Sequence, residues 1–203
     1  MQKVRSIIFR YLTPADFFNI YKPSGTEEDG GGQSYIDFPV NAVSLDEWSQ
    51  FFEGAGSVIC DTVAQGPSWE FPINSIGQAS GSNQELKVYQ RRAQSVCIAA
   101  QKITSRGENR VNAWRPEHGF PEPSDPTERD SVPANLLIYL VRTNGNEFWA
   151  GWSQNALPGR DATANEVLQK MLPDHDDDGH AGFIAVNGRL NLDSEDPKLP
   201  FVS

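Results

Sequence analysis

The sequence predicts a mainly β protein with short helices, whose strands form a closed or half-closed β-barrel rather than a parallel sheet. Three observations carry this prediction. Short apolar segments with alternating patterns recur along the chain, turn residues separate them, and only two longer segments carry clear helix signals. The clearest signal is a hairpin, in which the apolar runs NLLIYLVRT and NEFWAGW flank Asn144-Gly145.

The first half of the chain alternates strands with two helical starts. Thr13 to Asp16 is either a turn or a capped short helix with Pro14 at its first position. Ser44 with Glu47 forms a capping box ahead of the helical segment LDEWSQFF. The remaining apolar runs are typical of strands. The predicted strands are Val4–Leu12, Ser34–Val40, Ser57–Val63 and Ser68–Ile73.

The second half adds strands, one helix and a polar tail. Strands are predicted at Glu85–Arg91, Ser95–Thr104 and Phe183–Val186, together with the two strands of the Asn-Gly hairpin. A helix is predicted over Thr163–Leu172, because Pro173 ends it. Polar, Pro-rich composition makes 105–126 a loop. The prediction therefore divides the chain into a domain of residues 1–186 and a linker-like tail, 187–203, towards a further C-terminal domain.

Length and composition indicate one globular domain. The chain has 203 residues, 38% of them hydrophobic, which is enough to bury a core. Cys60 and Cys97 each lie in an apolar run, as reduced buried thiols do. The N-terminus lacks a signal-peptide core, and no apolar run approaches the length of a membrane span. We therefore expect a cytoplasmic protein without a membrane partner.

One segment is basic on an acidic protein. Between Glu85 and Arg115, seven Lys and Arg side chains stand against two Glu, a local charge of +5, whereas the whole chain carries -10. This asymmetry argues against a non-specific nucleic-acid binder, which would spread basic charge over its surface. A concentrated basic segment is typical of a focused anion site, and duplex DNA is the commonest large partner for one.

Within that segment, SRGENRVNAW places Arg106, Glu108 and Arg110 two residues apart. On an extended ribbon, residues at this spacing point the same way. Arginine binds guanine O6 and N7 in a bidentate fashion, and glutamate accepts from the cytosine amine. The pattern therefore fits recognition of G·C pairs, and it equally fits a surface salt-bridge ladder.

The glycine-rich segment GGGQSY, Gly30 to Tyr35, is a second candidate contact. Glycines let a backbone approach another molecule closely, and Gln33 can pair with adenine N6 and N7. A plain flexible loop has the same composition, so this segment alone does not identify a site.

Two other chemistries stay open. DHDDDG places Asp174, Asp176 and Asp178 as in a calcium loop, although Ala185 stands where the bidentate Glu belongs. A nuclease site could combine Asp61 with the Glu85-x-Lys87 pattern and Mg²⁺. A solvated acidic loop and a strand of alternating charge are the alternatives. We expect no catalytic residue, no metal and no cofactor in this chain.

Two motifs together resemble the N-terminal effector-binding domain of EcoRII-type (type IIE) restriction endonucleases. GGGQSYIDFP is similar to the family segment GGHQ…YIP, and SRGENRVNAW is similar to TRNEKRITRW without gaps. LTPAD, ELKVY and the Asn-Gly hairpin follow in the family's order. Gly32 stands where the family has His, and the acidic Glu27, Glu28 and Asp29 lie in a longer first segment.

The resemblance implies a seven-stranded open barrel, the pseudobarrel of the plant B-three DNA-binding type. It implies two arms that grip the major groove: a first arm, the loop up to Tyr35, and a second arm, roughly Lys102 to Trp114. It further implies binding to a site such as CC(A/T)GG, in control of a separate catalytic nuclease domain of the same polypeptide.

The expected DNA contacts have three roles. Arg106 and Arg110 reach guanines, and Glu108 accepts from a cytosine. Gln33 and Asn112 recognise a neighbouring pair, while other basic residues contact phosphates. The full predicted set is Gln33, Tyr35, Arg91, Arg92, Lys102, Arg106, Glu108, Asn109, Arg110, Asn112, Trp114 and Arg115.

Overall fold

The computed structural model describes most of the chain. The described residues are 1–21, 35–54, 66–77, 84–99, 101–104, 107–123, 133–172 and 179–203, with backbone alone for 84, 101–104 and 107–110. The predicted strand Ser57–Val63 lies outside them.

Twelve strands and three α-helices make up the described part. The helices are α1 (Pro14–Tyr21), α2 (Leu45–Phe51) and α3 (Ala162–Met171). The strands are β1 (Gln2–Tyr11), β2 (Tyr35–Pro39), β3 (Ser68–Ser75), β4 (Gln84–Arg92), β5 (Ser95–Ala99), β6 (Gln101–Thr104), β7 (Gly107–Arg110), β8 (Leu136–Thr143), β9 (Phe148–Gln154), β10 (Ala181–Ala185), β11 (Asn191–Leu192) and β12 (Phe201–Val202).

Ten of these strands form one sheet. Its order is β12-β11-β1-β8-β9-β3-β4-β5-β2, and β10 pairs with β1 beside that path. Neighbours pair antiparallel except β3 with β9, which are parallel. The fold is therefore mixed α/β around a large sheet that does not close into a barrel. The predicted count of seven strands is not confirmed.

Local signals correctly predicted several elements. The Ser44 side chain accepts from the Glu47 amide, and the Glu47 carboxylate accepts from the Ser44 amide at 2.7 Å, so the predicted capping box starts α2. The Asn-Gly hairpin joins β8 to β9. The turn closes from the Asn146 amide to the Thr143 carbonyl, and Thr143 also pairs with Glu147, so the loop has three residues. Its last residue, Asn146, is left-handed at φ 59°, as three-residue hairpin loops require.

Two predictions need correction. The segment 105–126, predicted as a loop, contains β7 and two 3-10 turns, Asn112–Trp114 and Pro116–His118. The segment 187–203, described as a linker-like tail, contributes β11 and β12, and Phe201 is fully buried. Both segments are polar, so backbone pairing and a few anchoring side chains hold them in place.

Hydrophobic residues bury both faces of the central strands. One cluster joins Phe17 of α1 and Trp48 of α2 to the inner face of the sheet, and a second joins Leu168 of α3 and Phe201 to the opposite face of β1 and β8. All eight residues of β8 are buried, as a strand covered on both faces requires. A third, small cluster joins Tyr89, Cys97 and Ala99 on the outer face of β4 and β5.

None of the helices in the described ranges is both long and apolar enough to cross a membrane.

Candidate nucleic-acid interface

The predicted second arm contains a two-stranded antiparallel ribbon, β6–β7, separate from the ten-stranded sheet. Its cross-strand pairs are Gln101 with Arg110, Lys102 with Asn109, Ile103 with Glu108, and Thr104 with Gly107. β6 contacts β4, so the ribbon leaves the sheet beside that strand. Arg106 lies outside the described residues.

The register divides the ribbon into two faces. Glu108 and Arg110 are two apart on β7, so they fall on the same face, as the spacing predicted. Cross-strand partners also share a face, which places Lys102 with Asn109 on the opposite one. The candidate base-recognising positions and the candidate phosphate-binding lysine are therefore on different sides.

The base of the ribbon is fixed in the core. Val111, which follows β7, is 4% exposed, and the Ala113 amide donates to the Ser75 hydroxyl at 3.0 Å. Trp114 is 1% exposed, and its indole N–H donates to the Gly151 carbonyl at 3.0 Å. A side chain so enclosed does not reach DNA, so the predicted contact by Trp114 is corrected to a structural role.

The first predicted arm ends, and the second begins, at one end of the sheet. Tyr35 follows the first arm, and it pairs with Ala99, which lies two residues before the ribbon begins at Gln101. The Asn19 side-chain amide donates to the Tyr35 carbonyl at 2.9 Å, which ties this position to α1. Gln33 and the rest of the first arm lie outside the described residues.

The other predicted phosphate contacts are spread more widely. Arg91 lies over the Tyr35 ring, with 4.2 Å between its guanidinium carbon and the ring centroid. Arg92 is exposed and pairs with Ser95, roughly 13 Å along β5 from Ala99 at the usual strand rise. The Arg91 guanidinium therefore lies at Tyr35, at the base of the arms, whereas the Arg92 backbone lies further along the strand.

Asn112 and Arg115 lie at either end of the 3-10 turn that carries Trp114, and both are half-buried. The Arg115 carbonyl accepts from the His118 and Phe120 amides, which fixes its backbone. These two residues therefore lie at the ribbon's base rather than along its length.

The outer face beside Tyr35 carries a polar cluster that sequence inspection did not single out. The Cys97 thiol donates to the Asp37 carboxylate at 3.5 Å, and Tyr89 is the cross-strand partner of Cys97. Burial, helped by the Asp37 charge, raises the pKa of Cys97 to about 12. Burial likewise raises the pKa of Tyr89 to about 12, an effect that Arg91 opposes. The alternation of side chains along β2, β4 and β5 predicts the members of this face only when the pairing register of the three strands is known.

Gln101 is a second residue that the motifs missed. It is the cross-strand partner of Arg110, so it falls on the same ribbon face as Glu108. Glutamine is suited to adenine recognition. Its position followed from neither spacing nor charge, because it depends on the pairing of β6 with β7.

The alternative nuclease residues are partly described. Glu85 is exposed on β4. Lys87 is the cross-strand partner of Glu70 on β3, and its ammonium lies 5.5 Å from the Tyr89 ring centroid. Asp61 lies outside the described residues. The two described residues therefore share a strand face with alternating charge.

The candidate calcium loop is also only partly described, because Asp174, Asp176 and Asp178 lie outside the described residues. The Gly179 amide donates to the Tyr11 carbonyl, and its own carbonyl accepts from Arg10 at 3.1 Å. Ala185, at the position of the missing twelfth ligand, pairs with Ser6 inside the sheet. Among the side chains that the structure does describe, no three His, Cys, Asp or Glu residues gather as metal ligands.

Comparison of the sequence with models of known protein families and with curated proteins gave no match.

Proposed function

We propose that this chain binds double-stranded DNA sequence-specifically in the major groove, through the ribbon and the first arm. The observation that carries the proposal is the pairing of Tyr35 with Ala99. It sets the end of the first predicted arm and the start of the second on neighbouring strands at one end of the sheet. Two segments that join the sheet at the same end are suited to contacting one duplex, and a two-stranded β-ribbon fits the width of the major groove.

The roles of the side chains follow from their chemistry. Arg106 and Arg110 bind guanines, Glu108 accepts from a cytosine amine, and Gln33 and Asn112 recognise a neighbouring pair. Arg91, Arg92, Lys102 and Arg115 position the duplex through its phosphates. The +5 charge of the segment Glu85 to Arg115 supports this assignment, because the rest of the chain repels DNA and leaves one attractive edge.

The proposal extends to the biological setting. By its resemblance, the domain is the effector domain of a type IIE restriction endonuclease, with the B-three-like pseudobarrel fold, acting in the cytoplasm. Its target is a CC(A/T)GG-like site, and its partner is a catalytic nuclease domain of the same polypeptide. The open, largely antiparallel sheet with a separate ribbon supports the fold assignment.

Selection from a pool of duplexes with a randomised core tests the proposal without assuming a target. The chain is incubated with the pool without divalent metal, and bound duplexes are sequenced over several rounds. We expect one enriched motif rich in G·C pairs, which in Glu108→Ala becomes degenerate at one pair. Enrichment that follows no motif would contradict sequence-specific binding.

Incubation of the chain with supercoiled plasmid and Mg²⁺ separates DNA binding from the nuclease alternative. We expect no cutting by this chain alone. Cutting that disappears in Lys87→Ala, but persists in the neighbouring exposed variant Arg92→Ala, would favour the nuclease site instead.

A further inference from the structure

Tyr35 and Arg91 form a contact that spans three strands. The guanidinium carbon of Arg91 lies 4.2 Å from the centroid of the Tyr35 ring, within the range of a cation–π interaction. Both side chains are half-buried, and the Tyr35 ring packs against the cluster of Tyr89, Cys97 and Ala99. The ring therefore limits where the guanidinium can lie.

A β-bulge directs Arg91 towards this contact. The register between β4 and β5 shifts between Gln90 and Arg92, so Arg91 has no paired residue on β5. Bulges commonly redirect a side chain beside a functional site. From the bulge, the Arg91 side chain reaches past β5 to Tyr35 on β2.

The Arg91 guanidinium packs on the Tyr35 ring but has no carboxylate partner among the described residues. Within the described part of the chain it makes no hydrogen bond or ion pair, and its Nη1 atom is buried without an acceptor. Arg10, by contrast, is paired with Asp16 at 2.8 Å, and Arg160 with Asp193 at 2.7 Å. A guanidinium that is stacked on an aromatic ring and lacks an anion is prepared to bind an oxyanion.

We infer that Tyr35 is a positioning residue, whose ring holds the Arg91 guanidinium at the common base of the two arms to bind one backbone phosphate. The inference rests on the proposed function. Because Tyr35 pairs with Ala99, two residues before the ribbon begins, this phosphate lies at the base of the ribbon. Its role is to fix the duplex relative to both arms, whatever its sequence.

The test measures the salt dependence of DNA binding. Fluorescence anisotropy gives Kd for a CC(A/T)GG duplex and a scrambled duplex between about 50 and 200 mM salt, without divalent metal. The variants are Arg91→Ala, Tyr35→Leu, which removes the ring, and Tyr35→Phe, which keeps it. Lys170→Ala is the charge-matched control, because it removes one exposed positive charge on α3.

Loss of one phosphate contact lowers the slope of log Kd against log salt by about 1. We expect this loss in Arg91→Ala and Tyr35→Leu on both duplexes, with Tyr35→Phe and Lys170→Ala like the wild type. Over that salt range, the loss of affinity in the two affected variants is then roughly 4-fold smaller than in the wild type. Thermal melts of each variant confirm that it is folded under the assay conditions.

The outcomes separate this inference from the proposed function. A wild-type chain that binds neither duplex overturns both. Binding by the wild type with an unchanged slope in Arg91→Ala overturns the phosphate site alone. A changed slope in Arg91→Ala but not in Tyr35→Leu, or an equal change in Tyr35→Phe, overturns the positioning role of the Tyr35 ring.

Discussion

Trp114 closes the base of the ribbon. Its ring lies in the main core, and its indole N–H satisfies the Gly151 carbonyl. The neighbouring Val111 and Ala113 are also buried, so the chain returns from the ribbon to the sheet through an apolar stretch. The same motif that carries the candidate contacts thus ends in an anchor.

Trp114→Phe is predicted to lower stability without changing DNA affinity. Phe keeps an aromatic ring but is smaller and removes the indole N–H that donates to the Gly151 carbonyl, so the free energy of unfolding falls by about 1–3 kcal/mol. Urea unfolding measures the loss. Trp152→Phe is the control, because Trp152 is half-buried and its indole bond to His118 is longer, at 3.3 Å. Reduced DNA affinity with unchanged stability would restore Trp114 to the DNA contacts.

Cys97 makes stability depend on alkaline pH. Its pKa is raised by burial and by Asp37, from an ordinary value of 9.0 to about 12. Between these values the unfolded chain loses the thiol proton while the folded chain keeps it. By linkage the free energy of unfolding therefore falls as pH rises from about 9 towards 12, and the stabilisation is complete below pH 9.

Cys97→Ala is predicted to flatten this alkaline decline. Thermal melts from pH 8 to 11 measure it, and Cys60→Ala, which removes the other cysteine, is the matched control. Cys60→Ala keeps the full decline, whereas Cys97→Ala keeps only a part of it, because burial also raises the pKa of Tyr89 to about 12. An equal decline in wild type and Cys97→Ala would contradict the burial of this thiol.

At the scale of elements, the sequence was informative wherever the signal was local. The capping box at Ser44 and the Asn-Gly hairpin each depend on residues within a few positions, and both predictions are confirmed. The ribbon was only half-predicted, because β7 is the polar segment Gly107–Arg110, which has weak strand propensity. Its strand depends on pairing with β6, which no pattern within the segment reveals.

The two faces of the ribbon lead to different predicted mutant effects. Glu108→Ala removes an acceptor for a cytosine amine, so it relaxes base preference, with about 1–3 kcal/mol less discrimination at one pair. Lys102→Ala, on the opposite face, removes a phosphate contact and weakens all sequences alike. Kd values for matched and single-mismatch duplexes distinguish the two. If both variants lose affinity equally on every duplex, the assigned faces are incorrect.

At the scale of the whole molecule, the C-terminal segment belongs to the fold. Phe201 is fully buried, with its ring centroid 5.6 Å from that of Tyr139, and the Arg160 amide donates to its carbonyl at 2.6 Å. The Ser203 amide donates to Asp161, which also caps α3. The sequence did not indicate this, because two-residue strands are too short for a periodic pattern.

Phe201→Ala is predicted to lower the free energy of unfolding by about 3–5 kcal/mol, because it opens a cavity beneath β12. Val202→Ala, at the neighbouring half-buried position, is the control and is expected to cost far less. Urea unfolding of both variants measures the difference. Similar small losses in the two variants would mean that 187–203 behaves as the linker that its composition suggested.

The charge distribution of the whole molecule favours a specific mode of binding. In the proposed function, an acidic body with one basic segment reduces indiscriminate contact with DNA and leaves affinity dependent on the contacts of the arms. Such a binder is expected to discriminate strongly between sequences even at moderate salt.

The most direct test of this account is fluorescence anisotropy of the chain on a CC(A/T)GG duplex and on a scrambled duplex, at two salt concentrations without divalent metal. Sequence-specific binding predicts a low Kd on the first duplex only, with discrimination that persists at the higher salt while both affinities fall. Equal binding to the two duplexes, or binding to neither, would contradict sequence-specific recognition of that site.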